Sequence, residues 1–319
     1  MRHRFLIPVW LICHAVSAQI PDLLTADPPT DVPGLFAPGF ISGPYMERDM
    51  AISRRLDELF FTVQGPAGDL SVILFTQKRN GRWTAPEVAP FSGRYRDIEP
   101  FLTPDGSRLY FSSNRPKTAG AGARDFDIWY VDRQNGIWQE PVRLDGPVNT
   151  DRDEYYPSLA TSGNLYFTAA YEGGTGQEDL YVSRPENGRY GKPQILPETV
   201  NSKGYEFNAF VDPAERFLIY TAYGRPEGLG RGDLYISFRD PDGRWQPARL
   251  LPEPLNSSQI DYCPYVSPDG KWFFFASKRS APAPPQRWTA ETLHRRLNGV
   301  QNGLEDIYWV SAEVLWKLK

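Results

Sequence analysis

The chain has 319 residues, of which 14% are aromatic, and it contains 27 glycines and 30 prolines. This length allows one repeat domain with a large shared core, and the composition suits many short strands joined by tight turns. The formal charge of −4 provides no excess of basic surface, so the sequence argues against a nucleic-acid partner.

Residues 1–18 have the pattern of a secretory signal peptide. Arg2 and Arg4 precede an apolar run over 5–12, and a small-residue site ends at Ala18. These features predict cleavage after Ala18 and a periplasmic or secreted protein. A buried first strand is the alternative interpretation. No later apolar run is long enough to span a membrane, so no transmembrane segment is expected.

Residues 19–34 are rich in proline and aspartate and predict a flexible leader. After it, a unit of 50 to 57 residues occurs five times, most clearly over 97–141. Within that copy the turn Pro104-Asp105-Gly106 joins two apolar runs, because proline fits the first turn position and glycine accepts a positive φ. The dipeptide Asn135-Gly136 marks a second hairpin. Each unit therefore predicts four short antiparallel strands.

Aligned columns define the copies. Each copy opens with an acidic residue, hereafter an opener: Glu47, Asp97, Glu154, Glu206 and Asp261. The third strands open at Asp69, Asp127, Asp179, Asp233 and Asp306. Five residues before each opener stands a serine or asparagine: Ser42, Ser92, Asn149, Asn201 or Asn256.

Four-stranded units of this kind bury their faces only by stacking on one another. The fifth unit lacks its fourth strand, and residues 35–41 have the pattern of that missing strand. We expect 35–41 to pair with the strand beginning at Asp306, because closing the ring removes an unpaired sheet edge. The sequence thus predicts an all-β, five-bladed propeller over 35–312, with six blades as the alternative.

One insertion, over 280–304, interrupts the last unit. Its proline-rich start is followed by a pattern that predicts a short helix, with Thr289 as N-cap and Leu293 and Leu297 on one face. Loops that break a repeat often bind ligands, although a tolerated surface insertion is an equal alternative. Residues 313–319 form a C-terminal tail that is compatible with a helical turn.

The repeat resembles the WD-like propeller repeats of the TolB-like family. The shared features are the acidic opener, a proline three residues later, the Ser267-Pro268-Asp269-Gly270 type of turn, an aromatic second strand, and an Asp-Ile-Tyr-like third strand, as at Asp306. The resemblance covers about 47–310. It implies a secreted or periplasmic propeller that binds other proteins of the cell envelope, and the shared residues are structural.

Several residue types bear on chemistry. His294 is the only histidine beyond the predicted signal, which argues against a catalytic triad and against a zinc site, so no metal and no cofactor are expected. Asp125 and Asp127 are weak candidates for calcium ligands, and capping of a strand start is the simpler interpretation. Cys263 is the only cysteine left after signal removal and is expected in the core.

The openers are the candidate binding residues: Glu47, Asp97, Glu154, Glu206 and Asp261. We expect them around one mouth of the central channel, where five acids would attract a cation or a basic partner. Alternatively, each acid caps turn amides of its own blade, which would explain why it recurs.

The predicted function is a non-enzymatic scaffold that binds a protein or glycan in the cell envelope through the propeller loops. A carbohydrate-active hydrolase with a carboxylate pair at the channel mouth is the alternative, and Asp151 and Asp153 are its best candidates outside the repeat columns.

Overall fold

The computed structural model of the chain describes residues 22–24, 27–117, 122, 125–284 and 286–319. The predicted signal peptide lies outside the described residues. The strands form five antiparallel blades, and the first strands of the blades contact one another in a closed cycle. The predicted five-bladed propeller is therefore confirmed, and the six-bladed alternative is wrong.

The strands follow the chain order from one blade to the next. The closing strand is β1 (Gly34–Leu35). Blade 1 contains β2 (Met46–Ile52), β3 (Glu58–Gln64), β4 (Ser71–Arg79), β5 (Arg82–Trp83) and β6 (Glu87–Val88). Blade 2 contains β7 (Asp97–Leu102), β8 (Arg108–Ser113), β9 (Asp127–Gln134), β10 (Ile137–Trp138) and β11 (Val142–Arg143).

The remaining blades are built in the same way. Blade 3 contains β12 (Glu154–Leu159), β13 (Leu165–Ala169), β14 (Asp179–Ser183), β15 (Pro185–Glu186), β16 (Arg189–Tyr190) and β17 (Gln194–Ile195). Blade 4 contains β18 (Tyr205–Val211), β19 (Phe217–Tyr223), β20 (Asp233–Phe238) and β21 (Arg249–Leu250). Blade 5 contains β22 (Asp261–Val266), β23 (Trp272–Ser277) and β24 (Asp306–Ser311), which pairs with β1.

The ring closes where the sequence predicts. In the β1–β24 ladder Leu35 faces Tyr308, and the backbone N–H of Phe36 donates to the carbonyl of Ile307 at 2.8 Å. The closing strand is shorter than the predicted 35–41, because Ala37 has a left-handed φ of 45° that turns the chain away. The pairing with the last blade is confirmed, and only its length differs.

The described residues of the leader pack against the propeller instead of lying loose as predicted. Leu23 and Leu24 are buried in the largest core cluster. Asp22 accepts a hydrogen bond from Trp83 Nε1 at 3.2 Å and lies 2.6 Å from Lys78 Nζ. Burial of two leucines favours this docking by roughly 3 to 6 kcal/mol before the loss of chain entropy, which opposes it.

In blade 1 the predicted start of the third strand at Asp69 is wrong. Glu47 faces Val63 across the first ladder, and Val63 faces Val72, so Val72 occupies the position of the third-strand aspartates. A longer turn, closed by a 2.9 Å bond from Gly65 N to the carbonyl of Leu70, shifts the register by three residues. The column is therefore acidic in four blades only.

Hydrophobic layers between adjacent blades hold the ring together. Between blades 1 and 2, Phe60 and Ile73 pack against Leu109, Phe111 and Val131, and all five are buried. Aromatic side chains are large enough to fill the wedge between two twisted sheets, which explains their frequency in the second strands.

Two helices complete the fold. Helix α1 (Ala290–Leu297) lies in the predicted insertion, and Thr289 caps it by accepting from the backbone N–H of Thr292 at 3.1 Å, as predicted. Helix α2 (Glu313–Trp316) docks the tail on the last blade by burying Val314 and Leu315. Neither helix has the length and apolar character that crossing a bilayer requires, within the residues that the structure describes.

Candidate functional site

The openers stand at the start of the first strands and are buried, each with no more than 2% of its surface exposed. Each accepts hydrogen bonds from the loop that precedes it. Glu154, for example, accepts from Thr150 Oγ1 at 2.6 Å and from the backbone N–H of Thr150 at 3.1 Å. Burial raises the pKa of Glu154 to about 8 despite these donors. The capping interpretation thus describes the contacts that the structure shows.

In three blades an arginine just after the second strand pairs with the opener. Arg115 Nη2 lies 2.6 Å from Asp97, and Arg225 and Arg279 make corresponding bonds to Glu206 and Asp261. Because these acids are already neutralised within their own blades, little of their charge remains for a ligand. Ligand binding by the five openers stays a prediction.

The serines and asparagines five residues before the openers lock each blade to the next. Asn256 Oδ1 accepts from Leu234 N at 2.7 Å, and Asn256 Nδ2 donates to the carbonyls of Leu234 and Leu251 at 3.0 and 2.8 Å. The amide thereby replaces a short stretch of ladder between third strand and loop. In the closing blade Ser42 Oγ has this role, with 3.2 Å bonds to the N–H and the carbonyl of Ile307.

A column that the sequence did not reveal occupies the centre of the propeller. It lies two residues after the openers, and all five of its members have a positive φ: Asp49, Glu99, Tyr156, Asn208 and Cys263. Each first strand has a β-bulge at this position. The bulge redirects the side chain toward the neighbouring blades and explains the strained backbone.

These central residues are bonded from blade to blade. Glu99 N donates to Asp49 Oδ2 at 3.1 Å, and Tyr156 N donates to Glu99 Oε2 at 2.8 Å. Asn208 Nδ2 donates to Glu99 Oε1 at 3.0 Å, and Cys263 Sγ donates to Asn208 Oδ1 at 3.7 Å. The network joins all five blades and forms a polar plug across the propeller axis.

Arg48 supplies the positive charge of the plug. Its guanidinium lies 3.1 Å from Asp49 and 2.8 Å from Glu99, and it stacks over the Tyr262 ring at 4.9 Å. Burial nevertheless raises the pKa of Glu99 to about 7, because the favourable charge of Arg48 does not fully offset the loss of solvent. The plug has the composition of a structural ion-pair network with one carboxyl poised near neutrality.

The plug separates two cavities. On the face that carries the turns between first and second strands, hereafter the turn face, a funnel of about 420 Å³ opens. All five blades contribute walls, including Phe101, Phe210 and Tyr265, and Trp316 of the tail lies at the rim with 39% of its surface exposed. Arg54 and Arg216 add positive charge to the rim. This volume lies within the range of ligand-binding clefts.

The second cavity lies on the opposite face, hereafter the opener face, between blades 2 and 3. It measures about 530 Å³ and is polar, with Asp125, Asp151 and Asp153 among its lining residues. Lys117 Nζ lies 3.0 Å from Asp151 and 3.7 Å from Asp125, and Asp153 Oδ1 accepts from the backbone N–H of Phe126 at 2.7 Å. These are the carboxylates that the hydrolase alternative singled out.

Of the calcium candidates, Asp127 makes a two-point ion pair with Arg143 at 2.6 and 2.8 Å. This pairing leaves its oxygens occupied. In the described part of the chain, no three His, Cys, Asp or Glu side chains lie close enough to hold a metal ion.

Comparison with known proteins gives the fold only. No family model and no curated protein sequence matches the chain. Among solved structures, a glycoside hydrolase matches with a TM-score of 0.53 and 10% identity, covering 90% of this chain and 92% of its own length. The BT0996 complex with RGII matches with a TM-score of 0.53 and 10% identity, and the corresponding coverages are 89% and 92%.

TolB from Acinetobacter baumannii matches with a TM-score of 0.47 and 15% identity, covering 83% of this chain. The chain spans about half the length of that TolB structure, 54%. The structural neighbours thus include both TolB and glycoside hydrolases.

Proposed function

We propose that this protein is a non-enzymatic binding scaffold of the cell envelope or the secreted fraction, and that the turn-face funnel receives its protein or glycan ligand. The observation that carries the proposal is the composition of the funnel. All five blades converge on it with apolar and aromatic side chains, and aromatic rings favour both apolar peptide side chains and sugar faces.

The acids support the same conclusion. The openers accept hydrogen bonds from their own blades, and Glu99 and Asp49 share Arg48 within the plug. A glycosidase requires two carboxyl groups on either side of a substrate in an open cleft. The central carboxylates are instead engaged with protein donors, so binding at the apolar funnel is the better-supported role.

The test is to block the funnel at its rim without disturbing the core. Ala214 is exposed and lines the funnel, so Ala214→Trp should obstruct the mouth and weaken ligand binding about tenfold. Leu70→Trp on the opener face is the matched control, because Leu70 is 59% exposed. Binding to a glycan array and to a library of envelope-protein peptides is measured for both variants. Equal binding by both would contradict the proposal.

A hydrolase remains the second candidate, and the opener-face cavity is the observation that favours it. Three carboxylates and two arginines line this cavity, and Asp151 and Asp153 lie outside the repeat columns. Turnover in a polysaccharide screen that is abolished by Asp153→Asn and unaffected by Ala214→Trp would replace the scaffold proposal with this alternative.

A further inference from the structure

The insertion over 280–304 leaves the propeller on the opener face, because it joins the end of β23 to the start of β24. Helix α1 within it buries none of its residues. Three of the insertion's large apolar side chains are exposed instead, with 42% of Trp288, 42% of Leu293 and 56% of Leu297 accessible. A globular helix normally buries its apolar side, so this one lacks a partner.

The exposed apolar residues lie close together. Leu293 and Leu297 are four residues apart and therefore share one face of α1. Asn302 Nδ2 donates both to the carbonyl of Leu297 at 3.2 Å and to the carbonyl of Pro44 at 3.1 Å. This bridge brings Tyr45, which is 57% exposed, next to the C-terminal end of the helix.

The charge of the insertion is opposite to that of the chain. It carries three arginines, Arg287, Arg295 and Arg296, and one acidic residue, Glu291, whereas the whole chain has a formal charge of −4. Arg296 Nη2 donates to the carbonyl of Ala281, so no acid neutralises it in that contact. Arg295 pairs with Glu291 at 2.7 Å, but both side chains are highly exposed and water weakens the pair.

We propose that the insertion surface, formed by Trp288, Leu293 and Leu297 with the three arginines, binds the surface of an anionic lipid bilayer. Exposed leucines beside aromatic rings, bordered by arginines, are the combination that enters the headgroup region of such membranes. The basic charge favours anionic headgroups over the acidic surface of the rest of the chain. In this orientation the turn-face funnel points away from the lipid, so the inference stands apart from the proposed function.

The test is co-sedimentation with sucrose-loaded vesicles of phosphatidylcholine with one quarter phosphatidylglycerol, and with vesicles of phosphatidylcholine alone. We expect binding to the anionic vesicles, weaker binding to the neutral ones, and loss of the difference in high salt. Leu293→Glu with Leu297→Glu should reduce anionic-vesicle binding at least tenfold. Arg287→Gln with Arg295→Gln should reduce it by about fivefold for each arginine.

The matched control is Ile137→Glu with Val142→Glu, which places the same charges on exposed aliphatic positions of blade 2. It should retain most of the anionic-vesicle binding. Three results would overturn the proposal: no sedimentation of the unchanged protein with either vesicle, equal loss in the control, or self-association through the insertion surface with no vesicle binding. The last result would identify the surface as a protein–protein interface.

Discussion

The guanidinium of Arg48 lies 2.8 Å from Oε1 of Glu99, so an arginine of blade 1 and a glutamate of blade 2 meet at the propeller axis. Both side chains are largely buried. Through Glu99 the same ion pair is connected to Tyr156 and Asn208 of the next two blades. The stability of the ring therefore depends on a polar centre as well as on the apolar layers between blades.

Arg48→Met should lower the free energy of unfolding by about 3 to 5 kcal/mol, because it leaves Asp49 and Glu99 buried without their cation. Urea unfolding followed by fluorescence measures the change. Arg55→Met is the control, since the Arg55 side chain is 86% exposed and its pair with Asp57 contributes less than about 1 kcal/mol. Equal effects of the two substitutions would show that the central ion pair adds no stability.

The pH dependence of stability should reflect Glu154. Its pKa rises from 4.5 to about 8 on burial, so the folded state retains a proton that the unfolded state releases between these values. Stability should accordingly fall as the pH is raised from about 4.5 to 8. Glu154→Gln removes the titrating group and should flatten this slope in urea unfolding at a series of pH values.

Glu172→Gln, at an exposed position of the same blade, serves as the control for the pH series. If the slope of the Glu154→Gln protein equals that of the unchanged protein, another group is responsible. Glu47, whose pKa burial raises to about 7, is then the next residue to substitute.

Asn256→Ala should cost about 3 kcal/mol, because it leaves the N–H of Leu234 and two carbonyls without their side-chain partner. Asn256→Ser should restore part of the loss, since Ser42 bonds Ile307 in the same way in the closing blade. Thermal and urea unfolding of both variants test this. Serine and alanine variants of equal stability would mean that volume, and not hydrogen bonding, accounts for the effect.

Phe36→Ala should destabilise the ring by about 3 to 5 kcal/mol. Phe36 is buried and packs edge-on against Phe274 at 5.0 Å and Trp309 at 5.4 Å between their ring centroids. Val32→Ala, at a position that is 65% exposed, should change stability by less than about 0.5 kcal/mol. A Phe36→Ala protein that unfolds like the Val32→Ala protein would show that this closing contact is dispensable.

The sequence was sufficient for the blade count and for the closure, because both depend on residues that recur in every copy. The openers and the asparagines repeat since each makes the same local bonds, as Glu154 and Asn256 do. The plug could not be found in that way. Its five members differ in type because each meets different neighbours at the axis, and the proline that follows Glu99, Tyr156 and Cys263 was the only available signal of a bulge.

The funnel also escaped prediction, since its walls are ordinary strand residues such as Phe210 and Tyr265 that become a cavity only when five blades converge. The docking of Leu23 and Leu24 was missed for a related reason. Their neighbours in the sequence are polar, and only the three-dimensional structure shows the groove that receives them.

Cys263 is the only cysteine among the described residues, and it lies in the plug with 1% of its surface exposed. Burial also raises the pKa of its thiol, which suppresses the reactive thiolate. An alkylating reagent can reach this sulfur only when adjacent blades part at the axis. The kinetics of its modification would consequently record how often the circle of sheets breathes open, with a native atom as the reporter.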